Sequence, residues 1–144
     1  MAYATQADIV TLYSEDALYV ADRDGDGVPD AAAITRALTS ASGEIDSFLN
    51  VRYSVPITAA SDLLTQFCVD IALYRLALGR DVLTEEHRKR YEDALAHLKL
   101  IAAGKAALVL PVPAGEEEAE QTGPRPIVTG GPEREFTREK MRGL

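Results

Sequence analysis

Apolar residues along the chain recur at helical spacing, in stretches separated by polar or proline-marked breaks. Ile9, Leu12 and Tyr13 step along one face after Thr5 and Asp8, which read as a helix N-terminus with a hydroxyl available to the free N–H groups of the first turn. Ser14-Glu15-Asp16 reads as a second cap leading into Ala17, Leu18 and Val20, so two short helices are predicted near 6–13 and 15–21. A polar loop runs from Asp22 to Asp30, and Asp30 is the expected N-cap of the next helix. From Ala31 to about Val51 the positions Ile34, Ala37, Leu38, Ala41, Ile45, Phe48 and Leu49 step by three or four, the mark of a long amphipathic helix. Arg36, Thr39, Ser40, Gly43, Asp46 and Ser47 fall on its opposite face.

Tyr53 to Ile57 is an extended connection, because Pro56 lacks an N–H and pushes Val55 away from helical geometry. Ser61 or Asp62 opens the next helix, predicted to reach Leu78 and to stop at Gly79. Its apolar residues, among them Leu64, Phe67, Cys68, Ile71 and Leu76, cover much of the circumference, which predicts the most buried helix of the fold. Thr84-Glu85-Glu86 begins the last core helix, with acids where the helix dipole favours them. Tyr91, Leu95, Leu98 and Ile101 form its stripe and Gly104 ends it. The mixed charges of His87, Arg88, Lys89, Arg90, Glu92 and Asp93 read as a solvated outer face.

Beyond Leu110 the composition changes. Five of the seven prolines, the glycines Gly115, Gly123, Gly130 and Gly131, and the acidic run Glu116-Glu117-Glu118 crowd into the remainder. Such a stretch buries too little apolar surface to offset its ordering entropy, so an extended arm that orders on binding is expected. It ends in a basic piece with Arg134, Arg138, Lys140 and Arg142, where Phe136 and Met141 could anchor. The predicted fold is therefore all-α: a small bundle of three long helices plus short N-terminal helices over residues 1–110, and a Pro/Gly-rich arm over 111–144.

The chain has 144 residues, within the size of one ordinary domain. No apolar stretch approaches the length of a membrane span, and the start, Met1 to Thr5, does not read as a signal peptide. A net charge of −8 argues against binding nucleic acid through the whole surface, since phosphate contact is driven by Lys and Arg. That weighs against a helical DNA-binding regulator. Cys68, the single cysteine, lies between Phe67 and Val69 and is expected to be a buried packing residue.

The most conspicuous motif is Asp22-Arg23-Asp24-Gly25-Asp26-Gly27-Val28-Pro29-Asp30. It matches the first nine places of an EF-hand-like calcium loop: carboxylates Asp22, Asp24, Asp26 and Asp30 at places one, three, five and nine, Gly27 at six, and the Val28 carbonyl at seven. These five residues are the candidate Ca²⁺ ligands. Place twelve is Ala33, where a bidentate Glu should close the site, and no acid follows until Glu44. The competing expectation is an acidic turn that ends one helix and caps the next. No catalytic residue is expected: His87 and His97 point in different directions from one helix, and no phosphate loop, nucleophile elbow or zinc spacing occurs. The chain is expected not to be an enzyme.

An ordered set of segments carries a family resemblance. Tyr3-Ala4-Thr5-Gln6-Ala7-Asp8, the Asp22–Gly27 motif, Ala41-Ser42-Gly43-Glu44-Ile45-Asp46-Ser47-Phe48-Leu49 with Arg52-Tyr53 and Pro56, Cys68–Ala72 with Tyr74-Arg75-Leu76, and Arg90–Ala94 together resemble the Mu-type phage and prophage family of small head–tail joining proteins. The resemblance covers roughly residues 3–110. It implies a helical adaptor that forms a ring, twelvefold, beneath the portal protein, and offers a surface to the next neck or tail-completion protein. It implies a place at the head–tail interface of the virion, and in the host cytoplasm during assembly. Packaged DNA would pass the channel without specific binding, no membrane would be involved, and no catalytic residues transfer. The alternative from a different class is a calcium-dependent helical binding module using the Asp22–Asp30 loop.

Overall fold

The computed structural model describes residues 2–59 and 61–110. Among them the chain is all-helical and has no strand. The elements are α1 (Gln6–Tyr13), a 3-10 helix (Glu15–Ala21), α2 (Ala31–Leu49), α3 (Asp62–Arg80) and α4 (Glu85–Ala102). The expected arm, residues 111–144, lies outside the described residues.

The helical stripes read from the sequence are the faces that pack. On α2, Ile34, Ala37, Leu38, Ala41, Ile45 and Leu49 are buried, and Phe48 is half-buried against them. On α3, Leu64, Phe67, Cys68, Val69, Ile71, Ala72, Leu73, Leu76 and Ala77 are all buried, as its nearly continuous apolar circumference requires. This helix is the centre of the fold, packing on α2, α4, α1 and the 3-10 helix. By contrast α4 buries only Ala94, Leu98 and Ile101 fully, with Tyr91 and Leu95 half-buried.

Several local expectations are corrected. The second short helix itself stands where it was expected, over Glu15–Ala21, and its turns are 3-10, with i→i+3 bonds from the Ala17 amide to the Ser14 carbonyl and from the Asp22 amide to the Tyr19 carbonyl. Leu18 and Ala21 are both buried, and a three-residue turn puts residues three apart on one side. Ser14 gives this helix no side-chain cap; its left-handed backbone, φ 70°, breaks the chain direction after α1 instead. Asp30 occupies the N-cap place of α2 without a capping bond, because its carboxylate accepts from the Arg23 amide at 3.3 Å. Gly79 does not stop α3. The helix runs on to Arg80, and Asp81 takes the left-handed closing position at φ 62°, a conformation Asp tolerates better than most residues. Arg80 is held at that end by its bonds to the Tyr19 carbonyl and to Asp22.

Expected caps appear elsewhere. The Asp8 carboxylate accepts from the Thr5 amide at 2.7 Å and the Thr5 hydroxyl at 2.8 Å, and the Thr84 hydroxyl accepts from the His87 amide at 3.2 Å. Gly43 sits mid-helix on the exposed side of α2, with open space where a Cβ would be. No close approach compensates its low helix propensity, so Gly43→Ala should raise stability by about 1 kcal/mol, read from urea unfolding midpoints. An unchanged or lowered midpoint would show that the position is constrained by something other than helix formation.

Candidate functional site

The acidic loop hangs between the 3-10 helix and α2, and hydrogen bonds to its own backbone shape it. Asp22 closes the 3-10 helix with a buried side chain whose two oxygens accept from the Gly25 amide at 2.7 Å and the Gly27 amide at 3.2 Å. The Asp26 carboxylate accepts from the Val28 amide at 2.7 Å, and the Asp24 carboxylate from the Asp26 amide at 3.4 Å. The Asp30 amide closes the loop onto the Ala21 carbonyl at 3.1 Å. Gly25 and Gly27 have φ of 79° and 86°, a region costly for a side chain, so the loop needs glycine at both places.

Asp22, Asp24 and Asp26 each bring a carboxylate oxygen within 4.8 Å of the others. Asp30 does not join this group, being held on the Arg23 amide, and the Val28 side chain is exposed. The counter-charge that so many acids need comes from Arg80, 3.5 Å from Asp22 across the top of α3. Partial burial pushes the Asp22 carboxyl upward, but the Gly25 and Gly27 amides and the Arg80 guanidinium outweigh it and hold it below the ordinary carboxylate range.

Three polar seams join the helices, and none was evident from periodicity. In the first, Tyr3 is clamped at both ends. Its amide donates to the Ser42 hydroxyl at 2.9 Å, its carbonyl accepts from the Thr65 hydroxyl at 3.0 Å, and its own hydroxyl donates to Asp46 while accepting from the Ile57 amide at 2.9 Å. Burial and the Asp46 carboxylate push the Tyr3 phenol up to about 12. In the second, buried Asp70 accepts from the Tyr13 hydroxyl at 2.5 Å and from the Gln66 amide at 3.1 Å, while the Arg90 guanidinium lies 4.2 Å above the Tyr13 ring. Arg90, expected on the solvated face of α4, therefore covers α1, which is the better place for a cation over an aromatic face. In the third, Glu44 of α2 pairs with Arg75 of α3 at 2.6 Å and accepts from the Tyr91 hydroxyl of α4 at 3.1 Å, with Tyr74 and Tyr91 stacked at 4.1 Å.

Asp70 could have been noticed in the sequence: a carboxylate centred in an apolar helix demands donors, and Gln66 lies one turn before it. Its long-range partner Tyr13 had no such signal. Cys68 is buried beside the Ser42 hydroxyl at 3.4 Å, and burial pushes its thiol up, consistent with a packing role. The His97 ring lies against Phe67, at 5.3 Å between centroids, and His87 Nδ1 sits 2.8 Å from the Thr84 hydroxyl, so the two histidines do different local work.

A cavity of about 230 Å³ opens between the N-terminal half of α2 and the last turns of α3, with Arg23, Arg36 and Arg75 in its lining. Arg75 is neutralised by Glu44; among the described residues Arg23 and Arg36 form no ion pair. The acidic loop and this arginine-lined cavity adjoin through Arg23, which belongs to both.

Fold and site define a small protein, all-helical among the described residues, in which Glu44, Asp70, Arg75, Arg80 and Arg90 tie helices and turns together. Comparison with known proteins is more specific. The family described as Bacteriophage Mu, Gp36 matches residues 3–126, and the chain belongs to that family. The match runs past the 3–110 span of the resemblance and includes the acidic run at 116–118. The chain is 33% identical over 107 residues to Gene product J of Escherichia phage Mu, covering 73% of this chain and 74% of that protein. It is 37% identical over 81 residues to the Mu-like prophage FluMu protein gp36 of Haemophilus influenzae, covering 56% of each. No helix among the described residues is long and apolar enough to cross a membrane.

Proposed function

We propose that this Mu-type phage protein is a structural head–tail connector. It forms a ring, twelvefold, beneath the portal, and docks the next neck or tail-completion protein. The observation that carries the reading is family membership over residues 3–126, in a subunit with a helical core. A ring requires two complementary, non-identical faces on one small subunit, and such head-to-tail contacts close a cycle. The core has the means to hold those faces in place, since its seams tie α1 to α3 and α4, and α2 to α3 and α4. In this reading the protein has no catalytic role, and its net charge of −8 suits a channel wall that packaged DNA should not stick to.

Electron cryomicroscopy of assembled particles is the direct test, with this chain expected in the neck as a ring of twelve copies. Removing residues 111–144 should leave the helical circular-dichroism signal and thermal midpoint of the core in place while abolishing co-purification with the portal protein. Undiminished portal capture by the shortened protein would remove the C-terminal segment from the mechanism, and a particle neck built without this chain would end the reading.

A second reading, a calcium-dependent binding module, is favoured by one observation: the convergence of Asp22, Asp24 and Asp26 within 4.8 Å. Against it, the Asp22 oxygens are already engaged by two amides and Arg80. Calorimetric titration with calcium separates the two. If the loop is a turn, millimolar calcium gives no saturable heat; a heat that disappears in Asp24→Ala would restore calcium as a ligand.

A further inference from the structure

Residues 2–4 precede α1 and lie across the seam where α2 meets α3. What holds them there is concentrated in one residue. Tyr3 gives its amide to Ser42 of α2, takes the Thr65 hydroxyl of α3 on its carbonyl, and sets its own hydroxyl between Asp46 and the Ile57 amide. Ala4 adds only a small buried methyl, and Ala2 is exposed. Among the described residues, no backbone group of residues 2–4 bonds to another backbone group, so neither a ladder nor a helical turn secures the segment. The first such bonds reach the Thr5 carbonyl, where α1 begins.

The segment covers groups that are otherwise sealed. The Ser42 hydroxyl that accepts from Tyr3 lies 3.4 Å from Cys68 Sγ, and the Tyr3 and Ala4 amides lie against the same sulfur. Cys68 has no exposed surface. A cavity of about 170 Å³ adjoins the segment, with Ala2 and Tyr3 in its lining beside Ile57, Leu64 and Thr65. This floor tolerates being uncovered. Ser42 keeps its bond to the Leu38 carbonyl at 2.9 Å, and Asp46 and Thr65 are only partly buried, so water can replace Tyr3 on them. Lifting residues 2–4 therefore breaks few bonds and exposes little apolar area, whereas unfolding the bundle exposes the apolar faces of α2 and α3 as well. A segment attached so sparsely opens at a free energy well below that of the whole domain.

We infer that residues 2–4 form a strap, latched by Tyr3, that opens without unfolding the helical bundle and gates access to the seam between α2 and α3 at Ser42, Thr65 and Cys68. The inference goes beyond the connector reading and does not depend on it.

Cys68, the only cysteine, reports the state of the strap. Its alkylation by iodoacetamide in the full-length protein is followed by intact mass, from no added urea up to the unfolding transition seen by circular dichroism. At low urea the rate should barely change with denaturant, because opening the strap exposes little surface. Tyr3→Phe withdraws the hydroxyl from Asp46 and the Ile57 amide, and should raise that low-urea rate about tenfold or more. Thr65→Val, which frees the Tyr3 carbonyl from the α3 side, gives the same test should Tyr3→Phe fail to fold. Ile34→Ala is the contrasting variant: it empties a buried site on α2 two helical turns from Ser42. It should lower the urea midpoint and leave low-urea alkylation within about twofold, since closed and open strap lose that contact equally. Alkylation that climbs steeply with the first urea added, and quickens in Ile34→Ala as far as its lost stability dictates, would mean Cys68 is reached only by global unfolding. That result would overturn the strap. A low-urea rate unmoved by both Tyr3→Phe and Thr65→Val would overturn the latch.

Discussion

Leu98→Ala should lower the free energy of unfolding by about 2–5 kcal/mol, the cost of removing a fully buried leucine and leaving a cavity behind. The position matters because α4 is the most sparsely anchored of the long helices. Leu98 is wholly buried, and only Ala94 and Ile101 share that status on its helix. The rest of α4 is held by Tyr91 on Glu44 and by Arg90 on Tyr13, contacts at the edge of the core. The loss should therefore be local before it is global. Amide hydrogen exchange should speed up over residues 85–102 more than over α2 or α3, alongside the drop in the urea midpoint. Leu100→Ala, two positions on but 45% exposed, should stay within about 0.5 kcal/mol of the unaltered protein. If the two variants lose stability equally, the face assigned to the core is wrong.

The same helix shows how much of the fold is legible in the order of residues. Its apolar stripe is visible as a period, because burial of one face repeats every three or four residues whatever the partner is. For α2 and α3 the same signal locates the elements to within two or three residues at each end. Periodicity is blind to what crosses between elements. Arg90 looks like one more solvated charge, since nothing in the order of residues says that the Tyr13 ring waits beneath it. Tyr3, Ser42, Asp46 and Thr65 form one hydrogen-bonded clamp although 62 residues separate the first from the last.

Helix ends are less readable for a related reason. Gly79 is the natural stop on conformational grounds, yet Arg80 gains a carboxylate and a carbonyl by remaining helical, and the closing left-handed residue becomes Asp81. The acidic loop lies between these cases. Its glycines and its Asp22–Asp24–Asp26 convergence follow from the motif, whereas the diversion of Asp30 to Arg23 and the arrival of Arg80 from α3 are tertiary facts. The arginine-lined cavity leaves no trace in the sequence, because Arg23, Arg36 and Arg75 come from three separate segments.

Tyr13→Phe should cost about 1.5–3 kcal/mol at neutral pH, the range for a hydrogen bond to an ionised group, and that cost should shrink as the pH falls. Asp70 is buried, and its donors are the Tyr13 hydroxyl and the Gln66 amide. The phenylalanine keeps the ring that carries Arg90 but withdraws the hydroxyl from a carboxylate with little access to replacement water. Burial pushes the Asp70 carboxyl up, against the pull of Tyr13, Gln66 and Arg90, so its folded-state value lies above that of the unfolded chain. A group shifted that way contributes stability that is complete below the unfolded value near 3.8 and is lost as the pH rises through the folded value. Removing the hydroxyl raises the folded value further, so the difference between Tyr13→Phe and the unaltered protein should be largest near pH 7 and smaller toward pH 4. Asp70→Asn should flatten this part of the pH profile, since a neutral amide can still accept from Tyr13. Asp22 bends the curve the other way. Its lowered carboxyl contributes stability above about pH 4 that disappears as the pH falls further, so Asp22→Asn should remove the acid loss and leave the Tyr13 effect intact. Urea unfolding at half-unit steps from pH 3 to 7 measures all three variants together. A Tyr13→Phe penalty that stays constant across that range would mean Asp70 is not the group the hydroxyl serves.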